Sequence, residues 1–144
     1  MTSLTESTAT EASRPLSRTQ RYVLEQFLQA LIARLNGAEA AMLATADGFA
    51  AAFHGTLDEA MQSRLAAVIS SLSALGEAAG QQIDAGALNV VSLQYDARQM
   101  QLISIRGQRS DYVLAVLAKP DLLLGNSLWA LRECAAQIIA ALKP

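Results

Sequence analysis

Asp47-Gly48 stands between two short apolar runs, residues 41–44 and 49–53, and a long amphipathic stretch follows them. An Asp-Gly pair in that setting is the strongest short-range hairpin signal. Both central residues of a type I′ turn take positive φ, and Gly does so without steric cost. The sequence therefore predicts two antiparallel strands joined tightly and followed by a helix, which restricts the chain to folds in which a hairpin meets a covering helix.

The rest of the chain extends this pattern. Tyr22, Val23, Phe27, Leu28, Leu31, Ile32 and Leu35 recur at spacings of three and four, which predicts a helix from Arg18 with one buried face and a stop at Asn36-Gly37. After the hairpin, a second helix is predicted from Asp58, whose carboxylate caps the first turn, to about Ala79, with Gly80 as its stop. Three strands are predicted at residues 88–95, 100–106 and 112–118, joined by turns at residues 96–98 and 107–110. The last strand is apolar at nearly every position, with Val113 and Leu117 on one side and Leu114 and Val116 on the other, so both faces of the sheet need cover. Pro120 ends it. A final helix is then predicted, capped by Asp121, Asn126 or Ser127, with Leu128, Leu131, Cys134, Ala135, Ile138 and Leu142 on its buried face. The order α-β-β-α-β-β-β-α predicts an α/β chain of the α+β type, with a five-stranded antiparallel sheet between helical layers. Its inward positions read as Leu, Ile and Val with few polar groups.

Composition excludes several functions. A length of 144 residues suits one domain. Residues 1–17, rich in Ser, Thr, Glu and Ala, read as a disordered tail, and residues 18–144 as the domain. The tail has neither the charged start and apolar core of a secretory signal nor the Arg content of a transit peptide, which leads to the expectation of a cytoplasmic protein. At 52% hydrophobic the chain suits a folded domain, yet it has no apolar run long enough to cross a bilayer. A net charge of -2 without a Lys/Arg cluster argues against nucleic-acid binding, which rests on neutralising several phosphates together. Cys134 is the single cysteine and sits in an apolar helical pattern, so it reads as a buried hydrophobe rather than a reactive thiol.

No catalytic, cofactor-binding or metal-binding residues are expected. His54 is the only histidine and has no Ser or Cys nucleophile beside it in a recognisable motif. There is no phosphate loop, no dinucleotide fingerprint and no His/Cys/carboxylate cluster at metal spacing. Trp129, the only tryptophan, reads as core or helix packing, with an exposed anchor for a partner as the alternative.

The second helix carries two stripes. Met61, Leu65, Val68, Ile69, Leu72, Leu75 and Ala79 are expected to pack on the sheet. Rotated away from them lie Ala60, Ala67, Ser71, Ala74 and Ala78, with Arg64 among them. Small side chains let two helix backbones approach closely, so this second stripe suits contact with another protomer; alternatively, alanines are simply good helix formers on an exposed face. A solvent face usually carries more charge than this one does.

The segments AMLATADGFAAAFHG, RLAAVISSLSALGEAA, VVSLQY and QLISI resemble the Roadblock family, which includes the dynein light chain roadblock and bacterial MglB-like proteins. The resemblance covers residues 18–142. It implies the same element order and a homodimer formed through the second helix and the strand after it. That places Ala60, Arg64, Ala67, Ser71, Ala74 and Ala78, with Val90 and Ser92 of the third strand, at the dimer or partner interface. It further implies a non-enzymatic regulator or scaffold of a small Ras-like GTPase. The alternatives are a dimeric adaptor for a motor, kinase or other regulatory protein, and a ligand-sensing module.

Overall fold

The computed structural model describes residues 16–107 and 111–143. Residues 1–15, which hold most of the expected tail, and residues 108–110 of the last expected turn lie outside the described residues. Helix α1 (Arg18–Arg34) leads into strands β1 (Ala38–Thr45) and β2 (Ala50–His54). Helix α2 (Glu59–Gln82), strands β3 (Val91–Gln94), β4 (Gln99–Arg106) and β5 (Asp111–Ala118), and helix α3 (Leu124–Leu142) complete the order.

All strand pairs are antiparallel, and the sheet runs β2-β1-β5-β4-β3. Strands that are central and covered on both faces divide their side chains by parity. On β5, Tyr112, Leu114 and Val116 join the core beneath α1 and α3, while Val113 and Ala115 join the core beneath α2, with Leu117 packed against it. The expected two-sided burial is thus present, and so is the expected element order.

The ends of the elements show which sequence signals act. Ser17 is not part of a tail but the N-cap of α1: its hydroxyl accepts the Gln20 N–H at 3.1 Å, and the Gln20 side-chain oxygen accepts the Ser17 N–H at 3.0 Å. This reciprocal pair satisfies two donors that a helix start leaves open. Asp58 caps α2 as expected, accepting the Met61 N–H at 2.8 Å. Helix α3, however, starts after Leu123 with no side-chain cap, and the Ser127 hydroxyl oxygen lies 2.9 Å from the Leu124 carbonyl of its own first turn. Asp121 and Asn126 do not cap it. Gly80 does not stop α2 either; the helix continues to Gln82, and the chain reverses through Asp84 and Gly86, both at positive φ.

The hairpin forms with a different turn from the predicted one. Gly48 alone has positive φ, +99°, whereas Asp47 does not. The Gly48 N–H donates to the Thr45 carbonyl and the Thr45 N–H to the Phe49 carbonyl. This is a three-residue loop, residues 46–48, closed by a left-handed Gly, not a two-residue type I′ loop. A Cβ at Gly48 would also lie 3.4 Å from Ser70 Oγ and 3.6 Å from the Ala67 Cα on α2, so the turn is fitted against that helix.

The inward positions, expected to be Leu, Ile and Val with few polar groups, include a buried polar network of Gln99, Gln101 and Ser127. Gln101 donates to the Gln99 side-chain oxygen at 2.8 Å, and Ser127 of α3 donates to the Gln101 side-chain oxygen. The two hydrogens of the Gln99 amide are in turn shared among the carbonyls of Lys119, Pro120 and Leu122. The network fastens the β5–α3 connection and the first turn of α3 to β4. Buried polar groups are tolerated when paired in this way.

Helices α1 and α3 meet the sequence expectation more closely. On α1 the buried residues are Leu24, Leu28 and Leu31, followed by Leu35 at the C-cap, while Tyr22 is exposed, so the face includes Leu24 rather than Tyr22. On α3 the expected stripe is buried or packed against the core at every position. Arg34 joins the two helices through Glu133 at 2.7 Å.

Candidate functional site

The outer face of α2 distinguishes this molecule. The buried positions of the helix are Ala66, Ile69, Ser70 and Ser73, with Leu65 and Leu72 packed at the margin. Met61, Val68 and Leu75, expected in the core, are 43%, 52% and 67% exposed, and Ala79 is exposed as well. The buried stripe is therefore displaced by about one residue position, ~100° around the axis, from the one the large side chains predict. The sheet beneath already supplies bulk through Met42, Met100, Leu102 and Val113. Small residues on the helix let it lie close to that surface. Ser73 bonds Ser104 of β4 at 3.0 Å, and at Gly76 an added Cβ would stand 2.9 Å from Leu88. The large side chains are left outside.

Ala60, Arg64, Ala67, Ser71, Ala74 and Ala78 are all exposed and lie beside Met61, Val68 and Leu75 on one broad face. That face is apolar and small, with Arg64 as its cation. The Arg64 Nε donates to the Ala60 carbonyl of its own helix at 3.4 Å and makes no salt bridge among the described residues. Sequence periodicity found the small stripe and missed its large neighbours.

Strand β3 is an open edge of the sheet and packs beneath α2 through Val91 and Leu93. It is shorter than expected, covering Val91–Gln94 rather than residues 88–95. Ser92 is exposed and pairs in register with Gln101. Val90 precedes the strand, and its half-buried side chain packs against the core beneath α1 and α3, on the other side of the sheet from α2.

The chemical groups are dispersed. His54 ends β2, half-buried, and pairs in register with Ala41. Cys134 is buried against Phe27, and burial pushes its thiol up to about 11. Trp129 is not core: it is 60% exposed, with the Arg34 guanidinium 4.9 Å from its ring centroid. Among the described residues no group of three or more His, Cys, Asp and Glu side chains is placed to hold a metal ion, and no helix is long and apolar enough to cross a membrane.

The family model for the Roadblock/LC7 domain matches residues 24–118. The chain belongs to the Roadblock/LC7 family. Among solved structures, this Roadblock/LC7 chain is similar to the Roadblock/LC7 domain from Streptomyces avermitilis, with a TM-score of 0.73 and 23% identity over 79% of this chain and 92% of that one. It is also similar to the gliding protein MglB from Thermus thermophilus, with a TM-score of 0.75 and 15% identity, covering 88% and 93% of the two chains. An MglB described in a tetrameric arrangement gives a TM-score of 0.76 and 16% identity at the same coverages. Comparison with curated proteins returns no match. At these identities the likeness to solved structures is one of fold, and the three helices and five-stranded antiparallel sheet described above are those of the Roadblock/LC7 domain.

Proposed function

We propose that this Roadblock/LC7 chain is a non-catalytic, dimeric regulator or scaffold of a small Ras-like GTPase, with the outer face of α2 as the platform. The observation that carries this reading is the uncovered α2 face, where Met61, Val68 and Leu75 stand exposed among small residues. Full burial of such side chains contributes about 1.5–3 kcal/mol each, so a face of this kind favours contact with another protein surface. The open edge of β3, the strand packed beneath α2, supports a second copy as one occupant, because unpaired edge strands invite strand pairing. The solved MglB described as tetrameric is an assembly of more than one chain.

In this mechanism two α2 helices pack across their small residues and present a shared surface to the GTPase switch segments, with Arg64 available to its acidic or carbonyl groups. Such a platform alters the switch equilibrium only by its difference in affinity for the two nucleotide states. Light scattering at micromolar protein tests the dimer, and a monomer would overturn it. Pull-down with GTP- and GDP-loaded forms of a Ras-like GTPase tests the regulation. Equal retention of both forms would remove regulation and leave an adaptor, since a partner that binds both states equally shifts nothing.

A further inference from the structure

A second surface lies on the opposite side of the sheet from α2. Between the end of α1 and the start of α3 the chain forms an open cleft of about 550 Å³. Leu35, Leu123 and the Trp129 ring give it apolar walls, while Asn36, Asn126 and Asp121 supply its polar groups. We propose that this cleft is a docking site for a peptide segment of a partner protein that places one apolar side chain between Trp129 and Leu123 and a neighbouring Lys or Arg beside Asp121.

Three observations carry the proposal. Trp129 is held in place while exposed: the Arg34 guanidinium lies over its ring, and Arg34 is itself fixed by Glu133 at 2.7 Å. A large aromatic surface ordered before binding loses little entropy on contact, and tryptophans of this kind dominate interface energies. The connection that carries Leu122 and Leu123 has no regular structure of its own, yet the buried Gln99 amide binds its carbonyls, and Ser127 ties the start of α3 to Gln101 beside Gln99. That network fastens to β4 the connection and the first turn of α3, both of which line the cleft.

Charge then selects the occupant. The cation lining the cleft, Arg34, is matched by Glu133, whereas Asp121 makes no salt bridge among the described residues. Asp121 is therefore the lining carboxylate open to a salt bridge with a basic residue of the occupant. The side-chain amides of Asn36 and Asn126 each offer a donor and an acceptor, the complement of a peptide main chain. The site is independent of the α2 platform, because α1 and α3 cover the other face of the sheet.

The single tryptophan makes the test direct. A displayed library of random peptides is selected against the full chain, with Trp129→Ala as the counter-selection. Selected peptides are synthesised and titrated, following Trp129 fluorescence and calorimetry. The expected result is a shared apolar residue within two or three positions of a Lys or Arg, a shift in Trp129 emission, and at least about a tenfold loss of affinity in Trp129→Ala or in Leu123→Ser. Asp121→Asn should abolish the preference for the basic residue, and Asp96→Asn, at an exposed acid in the β3–β4 turn, should leave affinity unchanged. No enrichment over Trp129→Ala, an acidic consensus, or a preference indifferent to Asp121→Asn overturns the proposal. So does an assembly of this chain that disappears in Trp129→Ala, which would make a second copy the occupant.

Discussion

Val68 and Ile69 are consecutive residues of α2 with opposite environments: Ile69 is fully buried in the core that includes Met42 and Leu102, and Val68 is 52% exposed on the outer face. This pair separates the core of the protomer from the surface proposed to meet a partner. Ile69→Ala should destabilise the protomer by about 2–5 kcal/mol, because it leaves a cavity against the sheet. Val68→Ser should leave the unfolding midpoint of the isolated protomer nearly unchanged while weakening self-association. Chemical denaturation with parallel light scattering distinguishes the two. Self-association unaffected by both Val68→Ser and Ala67→Glu would make the α2 face a solvent surface.

The polar network offers a second measurement. Ser127→Ala removes the donor to Gln101 and leaves a buried amide oxygen unpaired. The expected cost is about 1–3 kcal/mol, the penalty for an unsatisfied buried polar group. A urea midpoint equal to that of the unsubstituted chain would show that water or a rearranged Gln101 replaces the hydroxyl at no cost.

Cys134 gives a pH dependence of fixed sign. Burial raises its thiol from an ordinary 9.0 to about 11, so the unfolded chain loses this proton first as pH rises. The contribution to stability is therefore whole below pH 9 and is lost as pH climbs from 9 towards 11. Cys134→Ala should show a shallower decline across that window than the parent chain. Native Cys134 should also react with a thiol reagent only at the rate of unfolding; fast labelling of the folded protein would contradict its burial.

Gly48 is held at φ +99° beside α2. Gly48→Ala should cost about 1–2 kcal/mol from the left-handed backbone alone, with the contact to Ser70 adding to it. Thermal unfolding reads the change, and an unaltered transition would mean that the turn relaxes freely away from the helix.

Calorimetry of the isolated chain with GTP and with GDP should show no binding, since no phosphate-binding loop occurs in the sequence. Measurable heat of binding with either nucleotide would require a site that the α2 platform does not provide.

What the sequence determined by itself was the order of elements, the hairpin, the cap at Asp58 and the buried stripe of α3. In each case the signal is local, or comes from a stripe with a clear polar opposite, so periodicity has a phase to report. Helix α2 lacks that contrast. Its residues are apolar or small almost all round, so the pattern shows a helix without deciding which side faces the sheet. Tertiary packing decided it: a sheet face already filled by methionine, leucine and valine accepts Ala66, Ser70 and Ser73 at close range and leaves Met61, Val68 and Leu75 outside. The same holds for Gln99, Gln101 and Ser127, whose burial depends on partners far away in the chain, and for Trp129, which stays exposed because the layer beneath it is filled by Ala130, Leu131 and Cys134. Local preference fixes which elements form; which of their faces turn inward depends on the volume and polar partners that only the assembled layers supply.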